Sequence, residues 1–327
     1  MKKLIPLLVI VLLASASLSA CGKKPSAVSP APGPSAGVAA ESTPPAPPSS
    51  PDASTEPGAP SAEPSAPGAD ASRVIGSADD LTIADDSFRE LAPLTFTATV
   101  TDAYGLVLAD FDYFYPQIEL TGNAAATAKI NAQLSEHYNS EVRRLNGRIA
   151  EINENPDWYS TYYSDFPGAE TGWFQNSYRI VSAPGGRLSV VFSETYYYPG
   201  AAHDGSDYRA FVFDTDTGAR IGLGDAFTGS RDDFVGALCR EAYAAVKSYD
   251  YGLDYHLVYG IPEDSAETEL AFVTENFGQH IDDSSFALGA EGVVLVFNTY
   301  DISSLMRGPT WVLIPYAALS GDLRAAP

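Results

Sequence analysis

Near position 78 the chain changes from one kind of polymer to another. From Gly22 to Ala71 it is dominated by Pro, Ala, Ser and Gly, as in Pro44-Pro45-Ala46-Pro47-Pro48, with almost no aromatic or large aliphatic side chains. Such a stretch has too little apolar surface to offset the entropy lost on ordering its backbone. Any hydrophobic core must therefore come from the residues after it. The stretch itself reads as a semi-extended tether with local polyproline character, spanning 21–77 when Cys21 is included. At about 3 Å per residue its reach is on the order of 100 Å or more.

The residues ahead of the tether read as a processing segment. Lys2 and Lys3 precede an apolar run from Leu4 to Leu13, well short of the roughly 20 residues that cross a bilayer. The run leads into Leu18-Ser19-Ala20-Cys21, small residues before a cysteine. This is the pattern of a bacterial lipoprotein signal: residues 1–20 are removed and the Cys21 thiol is acylated. The expected location is extracytoplasmic, lipid-anchored to the bacterial cell membrane through the acyl chains on Cys21. The one other cysteine is Cys239. With Cys21 lipidated it has no disulfide partner, and among the apolar residues of a predicted helix it reads as a small core residue.

Charge narrows the partners. The chain has 19 basic and 42 acidic residues, a net charge of −23, which loss of Lys2 and Lys3 makes more negative still. A field of that sign disfavours nucleic acid and direct adsorption to anionic lipid, and it favours cationic partners.

After position 78 aromatic and β-branched residues become frequent. Leu94 to Val100 alternates with period two, a strand, and Leu106 to Tyr115 is a second apolar run, with Pro116 expected to break its pairing. Asn123 opens a long helix whose apolar positions are Ile130, Leu134, Tyr138, Val142, Leu145, Ile149 and Ile152, spaced by three or four, and Asn155-Pro156 stops it. Asp157 to Trp173 reads as an aromatic-rich loop. Gln175–Ala183 and Arg187–Tyr198 flank Pro184-Gly185-Gly186 as a hairpin. Tyr208–Phe213 is a further strand. Asp214-Thr215-Asp216-Thr217-Gly218 has a hint of calcium-loop spacing but lacks the remaining oxygen ligands, so it reads as a hairpin turn. Ser230 caps a helix to about Ser248, and Pro262–Phe277 is another helical segment with Leu270 and Val273 inward. Ser285–Leu288 and Val293–Asn298 form a hairpin, and Pro309–Pro315 is the last strand. Long antiparallel strands with a few helices between them predict an α+β fold, an antiparallel sheet with helices packed mainly on one face.

For chemistry, the most unusual local composition is Tyr196-Tyr197-Tyr198-Pro199-Gly200-Ala201-Ala202-His203-Asp204-Gly205. The ligand-binding candidates are Tyr196, Tyr197, Tyr198, His203 and Asp204 on this edge, with Trp158, Tyr162 and Trp173 from the aromatic loop. The four histidines, His137, His203, His256 and His280, show no ligand spacing. No nucleophile elbow, zinc-binding helix, phosphate loop or paired-cysteine motif is present, so neither metal nor other cofactor is expected. Glu194, His203 and Asp204 are the groups that acid–base chemistry would have to use.

With these residues in view, the chain resembles the extracytoplasmic domain shared by the anti-sigma factor RsiV and the N-terminal part of the peptidoglycan deacetylase PdaC. Tyr115-Pro116-Gln117-Ile118 before the long helix resembles the signature of the first half, here 78–190. In the second half, 191–327, Tyr198-Pro199-Gly200-Ala201-Ala202-His203 is similar to Tyr-Thr-Gly-Gly-Ala-His. Asp216-Thr217-Gly218 with Leu223-Gly224-Asp225-Ala226-Phe227 resembles Thr-Gly-Lys followed by Leu-Asp-Asp-Leu-Phe. Val293–Tyr300, Gly308 and Ile314-Pro315-Tyr316 resemble the closing strands, so the resemblance covers Leu94 to Leu319. Pro199 and Ala201 depart from the pattern. The sequence also shows no transmembrane helix, sigma-binding segment or deacetylase domain. The resemblance implies a non-catalytic binding or sensing module on a lipid anchor, with lysozyme, another cationic protein or cell-wall glycan as partner. An enzyme acting on peptidoglycan and an accessory module docking another envelope protein are the alternatives.

Overall fold

The computed structural model describes residues 71–82, 87–166, 169–249, 254–303 and 308–324. Cys21, the signal and the tether up to Asp70 lie outside these residues. Among the described residues no helix is long and apolar enough to cross a membrane.

Two sheets carry the α+β fold. The six-stranded sheet has the order β2 (Phe88–Thr101), β3 (Val107–Leu120), β4 (Gly172–Ala183), β5 (Arg187–Tyr197), β6 (Gly205–Asp214) and β7 (Arg220–Ile221). The four-stranded sheet has the order β1 (Arg73–Ile75), β10 (Thr310–Pro315), β9 (Gly292–Phe297) and β8 (Phe286–Leu288). All neighbours are antiparallel except β3 and β4, which pair in parallel from Ala109↔Gly172 to Asp112↔Gln175. A parallel pair needs a long crossover. Here α1 (Ala124–Glu154) and α2 (Pro156–Asp165) supply it.

Side-chain alternation explains the layering. Val181, Val191 and Ala210 on one face of the larger sheet meet Val294, Val296, Trp311 and Leu313 of the smaller one. The opposite face of the larger sheet, with Val190, Phe192, Phe211 and Phe213, packs on Ile130 and Leu134 of α1. The opposite face of the smaller sheet, with Val293, Leu295, Val312 and Ile314, packs on Leu238, Ala242, Val273 and Phe277 of α4 (Arg231–Ser248), which follows the one-turn α3 (Leu223–Ala226), and of α6 (Ala266–Gly278). Each sheet therefore carries helices on its outer face alone. Strands β9 and β10 are buried at every position, which is why they read as unbroken apolar runs rather than alternating ones. A buried stitch joins the sheets: Ser189 Oγ donates to Leu288 O and accepts from Leu288 N, both at 2.8 Å.

The caps sit where the sequence places them. The Asn123 side chain accepts from Ala126 N, and Ser230 with Asp233 forms a reciprocal capping box. Cys239 is a buried free thiol whose pKa burial pushes up to about 12. The Asp214–Gly218 segment is a turn: Asp214 Oδ1 accepts from Asp216 N, Thr217 N and Thr217 Oγ1, while Oδ2 takes Arg187.

Several expectations are corrected. Arg73–Ile75, placed in the tether, forms β1 and buries Val74. Pro116 does not end β3. Its ladder with β2 skips where Ala92-Pro93 stands opposite Pro116, then resumes at Leu91↔Gln117, because two residues without an N–H cost the ladder only locally. Asp157–Asp165, read as loop, is helix α2, opened by Pro156 at its first position. In α6 the residue turned inward beside Val273 is Glu269 rather than Leu270, which is half-buried. Glu269 accepts from Tyr243 Oη, from Tyr255 Oη at 2.8 Å and from Lys247 Nζ at 3.3 Å, and these donors hold its pKa down at about 2. Tyr255 belongs to a short helix, α5 (Tyr255–Tyr259), that local pattern did not announce.

The β6–β7 turn is clamped to the start of α1. Asn123 Nδ2 donates to Thr215 O and Asp216 O, Lys129 Nζ to Thr217 O and Gln133 Nε2 to Gly218 O. Gly218 has φ +70°, and a Cβ there would lie 2.7 Å from Ala126 O. Gly218→Ala is therefore expected to destabilise the protein by about 2–4 kcal/mol, combining backbone strain with a backbone clash. Urea unfolding of the variant beside the parent measures this, and a loss under about 0.5 kcal/mol would refute the clamp.

Candidate functional site

Helix α2 presents its aromatics in two stripes. Tyr159 and Tyr163 turn inward: both pack on the core behind the larger sheet, and Tyr163 Oη donates to Leu108 O while accepting from Gly172 N. Trp158, Tyr162 and Phe166, four residues apart, form the outer stripe, with Trp158 56% and Phe166 59% exposed. Trp158 and Tyr162 are stacked at 6.0 Å with an interplanar angle of 11°.

The outer stripe meets the tyrosine edge. On β4 and β5, Trp173 stands opposite Tyr197 and their rings stack at 6.5 Å. Tyr197 is half-buried, and its pKa is raised first by desolvation and then by the neighbouring Tyr162 hydroxyl. Gly200, with φ +83°, lets the turn after β5 pass under Tyr162, where a Cβ would come within 3.3 Å of the ring. Of the residues singled out in the sequence, Trp158, Tyr162, Trp173 and Tyr197 thus come together in one surface, with Phe166 added. Asp157, Asp165 and Glu170 are exposed beside it, and Trp173 Nε1 donates to Glu170 Oε1 at 2.9 Å.

Tyr196 and Tyr198 face the other way. Alternation along β5 sends them towards Phe174, which Tyr196 stacks on and Tyr198 meets edge-on, and Arg148 lies over the Tyr198 ring at 5.4 Å. His203 and Asp204 are exposed in the β5–β6 connection. The His203 ring meets the Asp204 carbonyl oxygen through Nδ1 at 2.7 Å and Tyr300 Oη through Nε2 at 3.2 Å. Tyr300 has φ +74°, a left-handed backbone that a bulky side chain adopts only when its surroundings hold it. The turn does so: Asp301 N donates to Asn298 O, and Asn298 N to Asp301 Oδ2.

Behind the surface lies a charged cluster that the sequence reading missed apart from Glu194. Glu194 accepts from Tyr113 Oη at 2.5 Å and from Arg144 Nη2. Arg144 Nε also donates to Glu141 Oε2 at 2.7 Å, and Arg209 Nη1 lies 3.5 Å from Glu141 Oε1. Asp207 stands directly opposite Glu194 across the β5–β6 ladder. Burial first, and the Glu194 charge second, raise the pKa of Asp207. His137, among Tyr115, Phe192 and Phe211, has its pKa lowered, chiefly by burial. The one signal for Glu141 was its position on the α1 apolar stripe, between Leu134 and Leu145.

The cavity inside the cluster is about 20 Å³, room for about one water and not for a substrate. Glu194 and His203 have separate partners, so the acid–base grouping drawn from the sequence has no shared contact here. Among the described residues no group of three or more His, Cys, Asp or Glu is arranged to hold a metal. The arrangement offers an aromatic face with an acidic border, backed by an ion-pair network in which Glu141 is buried and Arg144 and Arg209 reach solvent.

No protein-family model matches the chain, and no curated protein matches it. Solved structures do. A member of the DUF3298 family from Bacteroides fragilis is 16% identical, covers 73% of this chain and 94% of its own, and superposes with a TM-score of 0.46. A DUF3298 family protein from Pseudomonas aeruginosa is 13% identical, with 73% and 96% covered and a TM-score of 0.44. The chain is similar in structure to these DUF3298 family proteins.

The Asp207–Glu194 opposition gives a pH dependence. A carboxyl whose folded pKa is raised above its ordinary 3.8 contributes stability that is present below that value and lost as pH rises through the folded pKa. Asp207→Asn is therefore expected to melt higher than the parent at pH 7, with the difference closing as pH falls towards 3.8. Thermal melts across that range decide the matter, and a variant less stable than the parent at pH 7 would overturn the assignment.

Proposed function

We propose that the protein is a cell-envelope lipoprotein, anchored by acyl chains on Cys21, whose globular part is a non-catalytic binding module for a cationic wall-active protein of the lysozyme kind. The observation that carries this reading is the convergence of Trp158, Tyr162, Phe166, Trp173 and Tyr197 on one exposed surface bordered by Asp157, Asp165 and Glu170. Helix α2 carries no Lys or Arg. Trp and Tyr are the side chains that most often dominate binding energy, because they bury much area at little entropic cost. A net charge of −23 steers a cationic partner towards such a surface and raises its on-rate. The resemblance to the RsiV and PdaC extracytoplasmic domain points to the same partner.

The stacked Trp158 and Tyr162 rings favour a second reading, cell-wall glycan. A flat aromatic array takes the apolar face of a sugar ring, and neighbouring carboxylates accept its hydroxyls. The two readings differ in salt dependence, since only the protein partner relies on long-range charge.

Two experiments test these readings. In calorimetry with lysozyme at low salt, binding is expected to weaken by about tenfold or more in Trp158→Ala and to fall steeply as salt is raised. Salt-independent binding of soluble glycan fragments without lysozyme binding would replace the first reading by the second, and binding of neither would end both. For the anchor, palmitate labelling in a bacterial host is expected to mark the parent and to vanish in Cys21→Ala. Labelling that survives the substitution would refute it.

A further inference from the structure

We propose that the open edge of β2 from Leu94 to Thr101 is an interaction surface for a second copy of this chain, joining two six-stranded sheets through an antiparallel β2–β2 seam. Among the described residues the edge strands of the two sheets are β1, β7, β8 and β2. β1, β7 and β8 are two or three residues long, and so short an edge offers little to pair with. β2 has 14 residues. Its first part is defended: Arg89 and Glu90 carry charge, and the irregularity at Ala92-Pro93 breaks the line of the strand. From Leu94 to Thr101 no such device remains. The run Leu-Thr-Phe-Thr-Ala-Thr-Val-Thr has no charge and no proline, and it is rich in residues that favour strands.

The open hydrogen-bonding groups belong to Thr95, Thr97 and Thr99. Phe114 N and O on β3 are both taken by Asn176 of β4, on the side away from β2. Thr95, directly opposite Phe114, therefore turns its N–H and C=O to the free edge, and alternation does the same for Thr97 and Thr99. Tyr138 Oη donates to Thr95 O at 2.8 Å, which leaves that carbonyl a second lone pair. A two-fold axis at Thr97 sets Thr97 against its own copy and Thr95 against the second copy's Thr99. Phe96 then meets the second copy's Ala98, and Leu94 its Val100. Threonines pair on the exposed face, and a large apolar side chain meets a smaller one on the half-buried face. The seam has no charge with which to select an acidic or basic foreign strand, and it opposes no like charges when it meets itself. The exposed Asp110 and Asp112 of β3 would stand about 14 Å from those of the second copy, three strand spacings, which is beyond the screening length of about 8 Å at physiological salt. Helix α1 reaches β3, β5 and β6 through Asn131, Arg144 and Glu141, so the two copies of it stay clear of the seam.

Sedimentation of the full chain at concentrations up to about 500 µM tests the proposal. The seam is small beside a standard interface of about 20–30 residues a side, so a reversible dimer with a dissociation constant on the order of 10–100 µM is expected. The dimer fraction should rise with salt, which screens the repulsion between two acidic bodies, the opposite trend to steered binding of a cationic partner. Thr97 is exposed and opposes itself across the axis. Thr97→Lys and Thr97→Glu are therefore each expected to weaken the dimer by about tenfold or more, and an equimolar mixture of the two to restore it. Leu257→Lys, at an exposed leucine of α5 outside the seam, leaves the dimer unchanged. A parent that stays monomeric at the highest concentration, a Thr97→Lys dimer as strong as the parent's, a mixture no stronger than its parts, or loss of the dimer in Leu257→Lys would overturn the assignment. Failure of lysozyme or glycan to bind would leave it standing.

Discussion

The fold turns on how strand β3 satisfies its second edge. On one side it pairs with β2 along nearly its whole length, while on the other it pairs with β4 only from Ala109 to Asp112. Beyond that point its buried N–H and C=O groups would be orphaned, at a cost of about 1–3 kcal/mol each. Side chains take over. Asn176 accepts from Phe114 N and donates to Phe114 O, and Asn131 of α1 does the same for Ile118. Thr127 Oγ1 accepts from Leu120 N. The amides act as a replacement strand, so α1 must lie along β3 in a fixed register, and β3 and β4 part company around it.

That divergence makes the space in which a partly buried charge cluster sits. Tyr113 and Tyr115 on β3, Glu194 on β5, Asp207 and Arg209 on β6 and Glu141 and Arg144 on α1 meet where the ladder has opened. Glu141 is the buried member of the cluster: its pairs add little net stability, yet removing its arginine partners would strand its charge. The cluster therefore does more to fix the register of α1 against the sheet than to strengthen the fold. The aromatic surface depends on the same register, since α2 follows directly from α1 and its Tyr163 is tied to β3 and β4.

Much of this was legible in the sequence wherever one element decided its own conformation. The α1 stripe, its opening at Asn123, the Ser230 cap and the Pro184–Gly186 hairpin are local signals, and the structure has them in place. Reading failed where partners are distant. Glu141 sits on an apolar stripe, and nothing near it in sequence other than Arg144 reveals that Arg209 of β6 completes its environment. Glu269 displaced Leu270 from the inward position because Tyr243, Tyr255 and Lys247 supply donors from α4 and α5. Helix α2 was hidden by its own composition: Tyr and Trp favour strands and Asp favours turns, so the i, i+4 spacing of Trp158, Tyr162 and Phe166 went unread. The tyrosine run was seen as one feature, whereas strand alternation divides it into one outward ring and two inward ones.

The edge strand β1 has a mechanical meaning. Whatever pulls on the chain ahead of Ser72 transmits its load to the body through Arg73–Ile75, because β1 is the first element of the described fold and lies against β10, its last strand. A three-residue ladder, the burial of Val74, the Ser72–Glu241 hydrogen bond and the Arg73–Glu291 ion pair resist that load. Peeling β1 away would bare the hydrogen-bonding edge of β10, a wholly apolar strand apart from Thr310, while the Ser189–Leu288 stitch still held the sheets together. Tension applied from that side is thus met first at the margin of the smaller sheet, before it reaches the interface between the two.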